Sequence, residues 1–124
     1  MLVDKDAIAT IAVKDLKTAS RFYEGTLGLK PEPARERGVV SYTSGHSKVL
    51  VYESQYAGTN KATSATWVVP NVDSEVQALK AKGVVFEHYD LPGTKREGDV
   101  HVAGNVRVAW LKDPDGNILS LVGQ

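Results

Sequence analysis

Three histidines are the first place to look for chemistry in this 124-residue chain, since imidazole can ligate a metal or carry protons near neutral pH. His88-Tyr89-Asp90 followed by His101 has the donor order of an iron facial triad. The separation is short and the chain is small for the oxygenase folds in which that triad is usual, so solvated surface histidines are the competing reading. His46 falls in a tight-turn sequence, Ser44-Gly45-His46-Ser47, and reads as exposed. His101 lies in a glycine-punctuated stretch, Asp90 to Asn105, long enough to serve as a lid or binding loop. Cysteine is absent, which removes disulfides, thiolate zinc sites and thiol nucleophiles. No Ser-His-Asp order, phosphate-cradling glycine loop or nucleic-acid stacking stripe is evident.

Bulk properties narrow the field further. The 42% hydrophobic and 24% charged fractions are those of a water-soluble globular chain of one domain. Fifteen basic and 15 acidic residues cancel, so no domain-wide basic field exists to recruit nucleic acid or anionic lipid. The start, Met1-Leu2-Val3-Asp4-Lys5-Asp6, carries acids where a secretory signal needs a basic start and an apolar run. No stretch approaches the roughly 18 apolar residues of a membrane span. Cytoplasmic residence is the expectation.

The elements that must position any site come in two copies. Thr10 to Leu16 alternates and then meets a helix start; Thr66 to Val72 does the same 56 residues later. Leu16, Ala19, Phe22 or Tyr23, and Leu27 recur at helical spacing before Gly28; Val72, Val76, Leu79 and Ala81 do so before Gly83. Asp15 and Asp73 are the expected N-caps, and the two glycines suit the left-handed position past a helix end. Strand-like runs follow each helix: 30–32, 39–43 and 48–53 in the first half, and 84–89, 107–112 and 117–122 in the second. Ser44 to Ser47 and Asp113-Pro114-Asp115-Gly116 supply turns before each final strand. The chain therefore reads as α+β, one domain of two βαβββ modules, about 5–55 and 62–124.

Several landmarks carry a family resemblance. They are Val13-Lys14-Asp15-Leu16, Phe22-Tyr23, Leu27-Gly28-Leu29, Asn71-Val72-Asp73, Lys82-Gly83-Val84 and Lys112-Asp113-Pro114-Asp115-Gly116-Asn117. In this order and spacing the chain resembles the vicinal oxygen chelate superfamily, which includes glyoxalase I, bleomycin-resistance proteins, fosfomycin-resistance enzymes and extradiol dioxygenases. The resemblance implies two curved half-sheets around an open, barrel-like cavity, and commonly a homodimer. In metal-dependent members each module contributes two ligands, on its first and last strands. Counted from the landmarks, those positions fall on Ile8, Val51, Ser64 and Ser120. Two hydroxyls and two branched alkyl groups do not make a metal site, so no metal and no cofactor is expected.

Strand alternation from those positions places Ile8, Thr10 and Ala12 on the cavity face. With them go Val49, Val51 and Glu53; Ser64, Thr66 and Val68; and Ile118, Ser120 and Val122. Ligand-binding candidates are thus Thr10, Val51, Glu53, Ser64, Thr66 and Ser120, with Trp110, Arg107 and His101 added from the neighbouring strand and loop. Glu53, the one ionisable group on that face, is the catalytic candidate as a general base; a solvated strand-end carboxylate is its bland alternative. Arg107 can hold an anion bidentately or project outward. Trp67, on the opposite face with Ile11 and Val13, is expected in the core.

The leading expectation is a metal-independent protein that binds or sequesters an apolar or aromatic small molecule, with no nucleic-acid or membrane partner. The first alternative is a glyoxalase- or dioxygenase-like enzyme with atypical metal ligands or Glu53 acid–base catalysis. The second is a dimeric assembly or regulatory protein with a vestigial cavity.

Overall fold

The computed structural model describes residues 1–33 and 36–123. The first module runs β1 (Ala9–Val13), α1 (Leu16–Ser20), which continues as a π-helical segment (Arg21–Thr26), then β2 (Lys30–Pro31), β3 (Val39–Ser44) and β4 (Ser47–Glu53). The second runs β5 (Thr63–Val68), α2 (Val72–Ala81), β6 (Phe86–Glu87), β7 (Lys95–Glu97), β8 (Val100–Ala103), β9 (Val106–Lys112) and β10 (Ile118–Gly123). Each module makes its own mixed sheet. The first has the order β1-β4-β3-β2; the second has β5-β10-β9-β8-β7, with β6 also paired to β9. In both, the first strand lies parallel to the last. The βαβββ repeat is therefore present twice, and the second copy carries an extra hairpin, β7–β8.

Local chemistry explains the helix ends. Asp15 caps α1 by accepting the Lys17 and Thr18 amides at 3.3 and 3.4 Å and the Thr18 hydroxyl at 2.9 Å. The Thr18 hydroxyl, then the Lys17 amide, hold its carboxyl below the usual carboxylate range. In α2 the cap is Asn71, which accepts the Ser74 amide at 3.0 Å, and not Asp73 as expected. Helix α2 starts one residue before Asp73, which leaves that carboxylate free on the first turn for another partner. Gly28 and Gly83 take φ of 77° and 92°, the left-handed values that end both helices.

The core lies on the helix side of both sheets. There Ile11, Val13, Tyr42, Val49 and Val51 pack with Ala19 and Tyr23 from the first module. Val72, Val76, Leu79, Phe86, Ala109, Leu111, Leu119 and Leu121 complete it from the second. Trp67 is partly buried against this cluster and donates Nε1–H to the Ser44 hydroxyl at 2.8 Å, which ties the second module to the first module's β3–β4 turn.

A polar hub makes the reciprocal connection. The β9–β10 turn sits against the end of β1: Asn117 Nδ2 donates to the Ala12 carbonyl at 2.7 Å, and Asp115 accepts the Lys14 amide at 3.2 Å. Asp113, 4% exposed, accepts the Tyr23 phenol at 2.8 Å. It also accepts the Asp115 and Asn117 amides at 2.9 and 2.8 Å and Asn117 Nδ2 at 2.8 Å. Burial, reinforced by the Asp113 charge, pushes the Tyr23 phenol far above its ordinary 10.0. An unfolded tyrosine loses its proton near pH 10 while the folded one keeps it. The stabilising contribution is thus intact below pH 10 and is lost as pH rises beyond it. Urea-unfolding midpoints should fall above pH 10 in the wild type and fall less steeply in Tyr23→Phe; parallel curves would show that the phenol is not responsible.

Candidate functional site

Strand register decides which side chains share the face turned away from the helices. In the second sheet Thr66, Ser120 and Trp110 are directly paired across β5, β10 and β9, with Glu87 next to Trp110 on β6. The adjacent row is Val68, Val122, Val108, His101 and Arg96, across to β7. The Thr66 and Ser120 hydroxyls are hydrogen-bonded at 2.7 Å, and Trp110 Nε1–H reaches the Thr63 hydroxyl at 3.3 Å. A register shift interrupts the alternation at Ser64: Thr63 pairs with Ile118 and Ala65 with Leu119, so Thr63, not the predicted Ser64, shares this face with Thr66. So Thr66, Ser120, Trp110 and His101 are brought together on one face, Ser64 sits at the register shift beside them, and the facing of Trp110 is settled.

In the first sheet the predicted face is half right. Thr10 and Ala12 pair with Leu50 and Tyr52, and these form the open face with Val39, Ser41 and Lys48. Val49, Val51 and Glu53 instead pair with Ala9, Ile11 and Val13, so they belong to the helix side. Val51 is 0% exposed in the core. Glu53 accepts the Leu16 amide at 3.2 Å and so supports the start of α1. It cannot serve as a base in a cavity on the other face. The cause is a one-residue offset: β1 pairs Thr10 with Leu50, and a slip of one reverses the facing of a whole strand.

Arg107 is likewise turned to the helix side. Its Nε and Nη2 donate to the two Asp73 oxygens at 2.9 Å each, and Nη2 reaches Glu97 at 3.2 Å. These carboxylates raise its pKa above the ordinary value, with Asp73 the larger influence. The guanidinium is spent joining β9 to α2 and is not offered to an anion.

The glycine-rich stretch expected to be a loop contains the β7–β8 hairpin, which turns at Gly98 with φ of 63°. His101 is therefore a strand residue, 2% exposed, and not a lid residue or a solvated one. Its ring sits edge-on to Trp110, centroids 4.8 Å apart, and Tyr89 meets Trp110 in the same manner at 5.2 Å. The Tyr89 amide donates to His101 Nε2 at 2.9 Å. Sequence reasoning passed over Tyr89 and Arg96 as site residues. The signal was a Gly98-Asp99 pair between two short runs, a hairpin cue that brings Arg96 opposite His101.

A pocket of about 260 Å³ opens here, lined by His88, Tyr89, Asp90, Thr94, Arg96 and His101. His88 is committed within it: Nδ1 accepts Arg96 Nη1–H at 2.6 Å and Nε2–H donates to Asp99 at 2.7 Å. Asp99 also takes Lys80 at 2.8 Å, and Lys80 followed by His88 hold its carboxyl below the usual range. The facial-triad order is thus not assembled, because both nitrogens of one imidazole are taken. His46 is exposed in its turn, as expected.

The metal positions implied by the resemblance fare no better. Ile8 precedes β1 and is 51% exposed, Val51 faces the core, Ser64 is a hydroxyl, and Ser120 is bonded to Thr66. Among the described residues no group of three or more His, Asp and Glu side chains is placed to hold an ion. This donor set does not fit the metal.

A second cavity of about 220 Å³ lies on the helix side between Leu27, Leu29, Trp67 and Leu79. Leu79 stands 56 residues after Tyr23, the phenol of which reaches the opposite turn at Asp113 from the first module's helix.

Comparison with known structures agrees with this architecture. The chain is similar to FosX, a genomically encoded fosfomycin resistance protein from Listeria monocytogenes, at 15% identity and a TM-score of 0.73, covering 99% of this chain and 95% of that one. It is similar to lactoylglutathione lyase from Agrobacterium tumefaciens at 16% identity and 0.72, covering 99% and 96%. An antibiotic binding protein from a Streptomyces species, TnmS3, matches at 17% identity and 0.70, covering 99% and 98%. These likenesses show a shared fold. A comparison with curated protein sequences finds no match. The family model described as Glyoxalase/Bleomycin resistance protein/Dioxygenase superfamily matches residues 6–121, nearly the whole length over which the paired modules are built. On this match and the paired βαβββ sheets, the chain belongs to that superfamily.

Proposed function

We propose that this protein is a metal-independent binder of small molecules, which holds a flat apolar or aromatic compound on the open face of its second sheet. The observation that carries the reading is the surface around Trp110. The indole is fixed by two edge-on aromatic neighbours and flanked by the Thr66–Ser120 hydroxyl pair, in which Ser120 stands at a position where metal-dependent relatives carry a ligand. Large rigid rings with a few placed polar groups are the usual makings of a ligand site. The similar TnmS3 is an antibiotic binding protein, which supports a binding role on this fold. Catalysis by Glu53 is disfavoured by its place at the start of α1.

Titration calorimetry with 2-acetylnaphthalene in the presence of EDTA tests the proposal. One saturable site is expected, unchanged by EDTA and weakened about tenfold or more in Trp110→Ala, since a lost aromatic contact and its buried area are together worth about 1.5 kcal/mol or more. Binding that requires a stoichiometric divalent ion would overturn it.

A further inference from the structure

Among the described residues, two polar atoms beside the Trp110 surface are shut off from solvent with no hydrogen-bond partner: the Tyr89 phenol oxygen and His101 Nδ1. His101 as a whole is 2% exposed. Because its Nε2 accepts the Tyr89 amide at 2.9 Å, the proton of the neutral ring belongs on Nδ1, so a donor is left over. Folded proteins leave few buried donors unpaired, because the group has surrendered its bond to water.

Apart from the Asp90 carboxylate, the remaining polar groups of the pocket are already matched. His88 is held by Arg96 and Asp99, and the Thr94 hydroxyl donates to the Leu91 carbonyl at 2.7 Å. Tyr89 and His101 line the same pocket, their ring centroids are 6.2 Å apart, and both lean on Trp110. One carbonyl oxygen has two lone pairs with which to accept from two donors. Tyr89 also stands past the sheet ladder, which ends at Glu87, and its amide is held by the imidazole. Its ring can therefore shift to admit an oxygen without breaking strand pairing.

We propose that Nδ1–H of His101 and the Tyr89 hydroxyl are a donor pair for one carbonyl oxygen of a flat-ring ligand whose ring lies against Trp110. This deepens the binding function proposed above and rests on it. A neutral acceptor fits better than a carboxylate. Arg96 is turned to His88, and the Asp90 carboxylate lines the same pocket and repels a further negative charge.

The test compares 2-acetylnaphthalene with 2-ethylnaphthalene, which replaces the carbonyl by a methylene on the same ring. Wild type should bind the ketone about tenfold more tightly, the worth of a buried hydrogen bond. Tyr89→Phe should cut that preference to about threefold or less, and His101→Phe should do the same. Tyr89→Phe keeps the packed ring and should melt at or above the wild-type temperature, so its loss of preference is not misfolding. Equal wild-type affinity for the two compounds overturns the donor pair and leaves the Trp110 surface standing. Tighter binding of 2-naphthoate than of the ketone overturns the neutral acceptor. Binding of neither naphthalene removes the underlying function, and the donor pair with it.

Discussion

Asp113→Ala is expected to destabilise the protein by about 3–4 kcal/mol, read as a fall in the urea-unfolding free energy at neutral pH. The carboxylate is 4% exposed and accepts from Tyr23, from the Asp115 and Asn117 amides and from Asn117 Nδ2. Removing it strands several buried donors at once, and stranding a buried donor costs more than the mean worth of a hydrogen bond. Asp113→Asn should be milder, about 1–2 kcal/mol. It keeps one oxygen for the two backbone amides, and the Tyr23 hydroxyl can turn to accept from the new amide. Tyr23→Phe combined with Asp113→Ala should cost less than the two changes summed, since each removes the same bond. A loss below about 1 kcal/mol in Asp113→Ala would show that the turn is not a structural join between the modules.

Gly58→Ala should also be severe, about 3 kcal/mol, for a reason that a contact list of the native chain does not display. Gly58 has φ of +71°, and a Cβ built there runs into the backbone carbonyl of Asp115 in the same β9–β10 turn. The left-handed backbone costs alanine about 1 kcal/mol by itself, and the rest comes from pushing two backbones apart. Gly45→Ala is the control. It has φ of +57° but nothing within 4 Å of the added carbon, so it should lose only the conformational part. Equal melting temperatures for the two variants would refute the close approach. Together with Asp113, Gly58 makes the inter-module turn sensitive to small changes.

Much of the fold was legible because it is written locally and twice. Period-two alternation, helical spacing and the ends at Gly28 and Gly83 are properties of neighbouring residues, and the structure keeps them. Where two local signals competed, the reading slipped: Asp73 looked like a cap, yet Asn71 caps and Asp73 holds Arg107. The hairpin at Gly98 was hidden for a related reason, since three glycines in one stretch resemble a loop until their spacing is compared with strand length.

The site was legible only in outline. Thr66 and Ser120 follow from alternation within one sheet and fall on one face, where the register also places Trp110; Ser64 lies at a register shift that alternation does not foresee. Val51, Glu53 and Arg107 do not, and His101 reaches the same face as a buried strand residue rather than as a lid.

By itself the sequence determined that two βαβββ modules form and that the metal-ligand positions of the resemblance hold alkyl and hydroxyl groups, because residue type and near-neighbour spacing suffice for both. Only the tertiary structure decided the pairing of β1 with β4 and the burial of His101 beside Tyr89 and Trp110. Register between strands is set by packing across the whole sheet, and one residue of it reverses every side chain. No window of sequence contains that information.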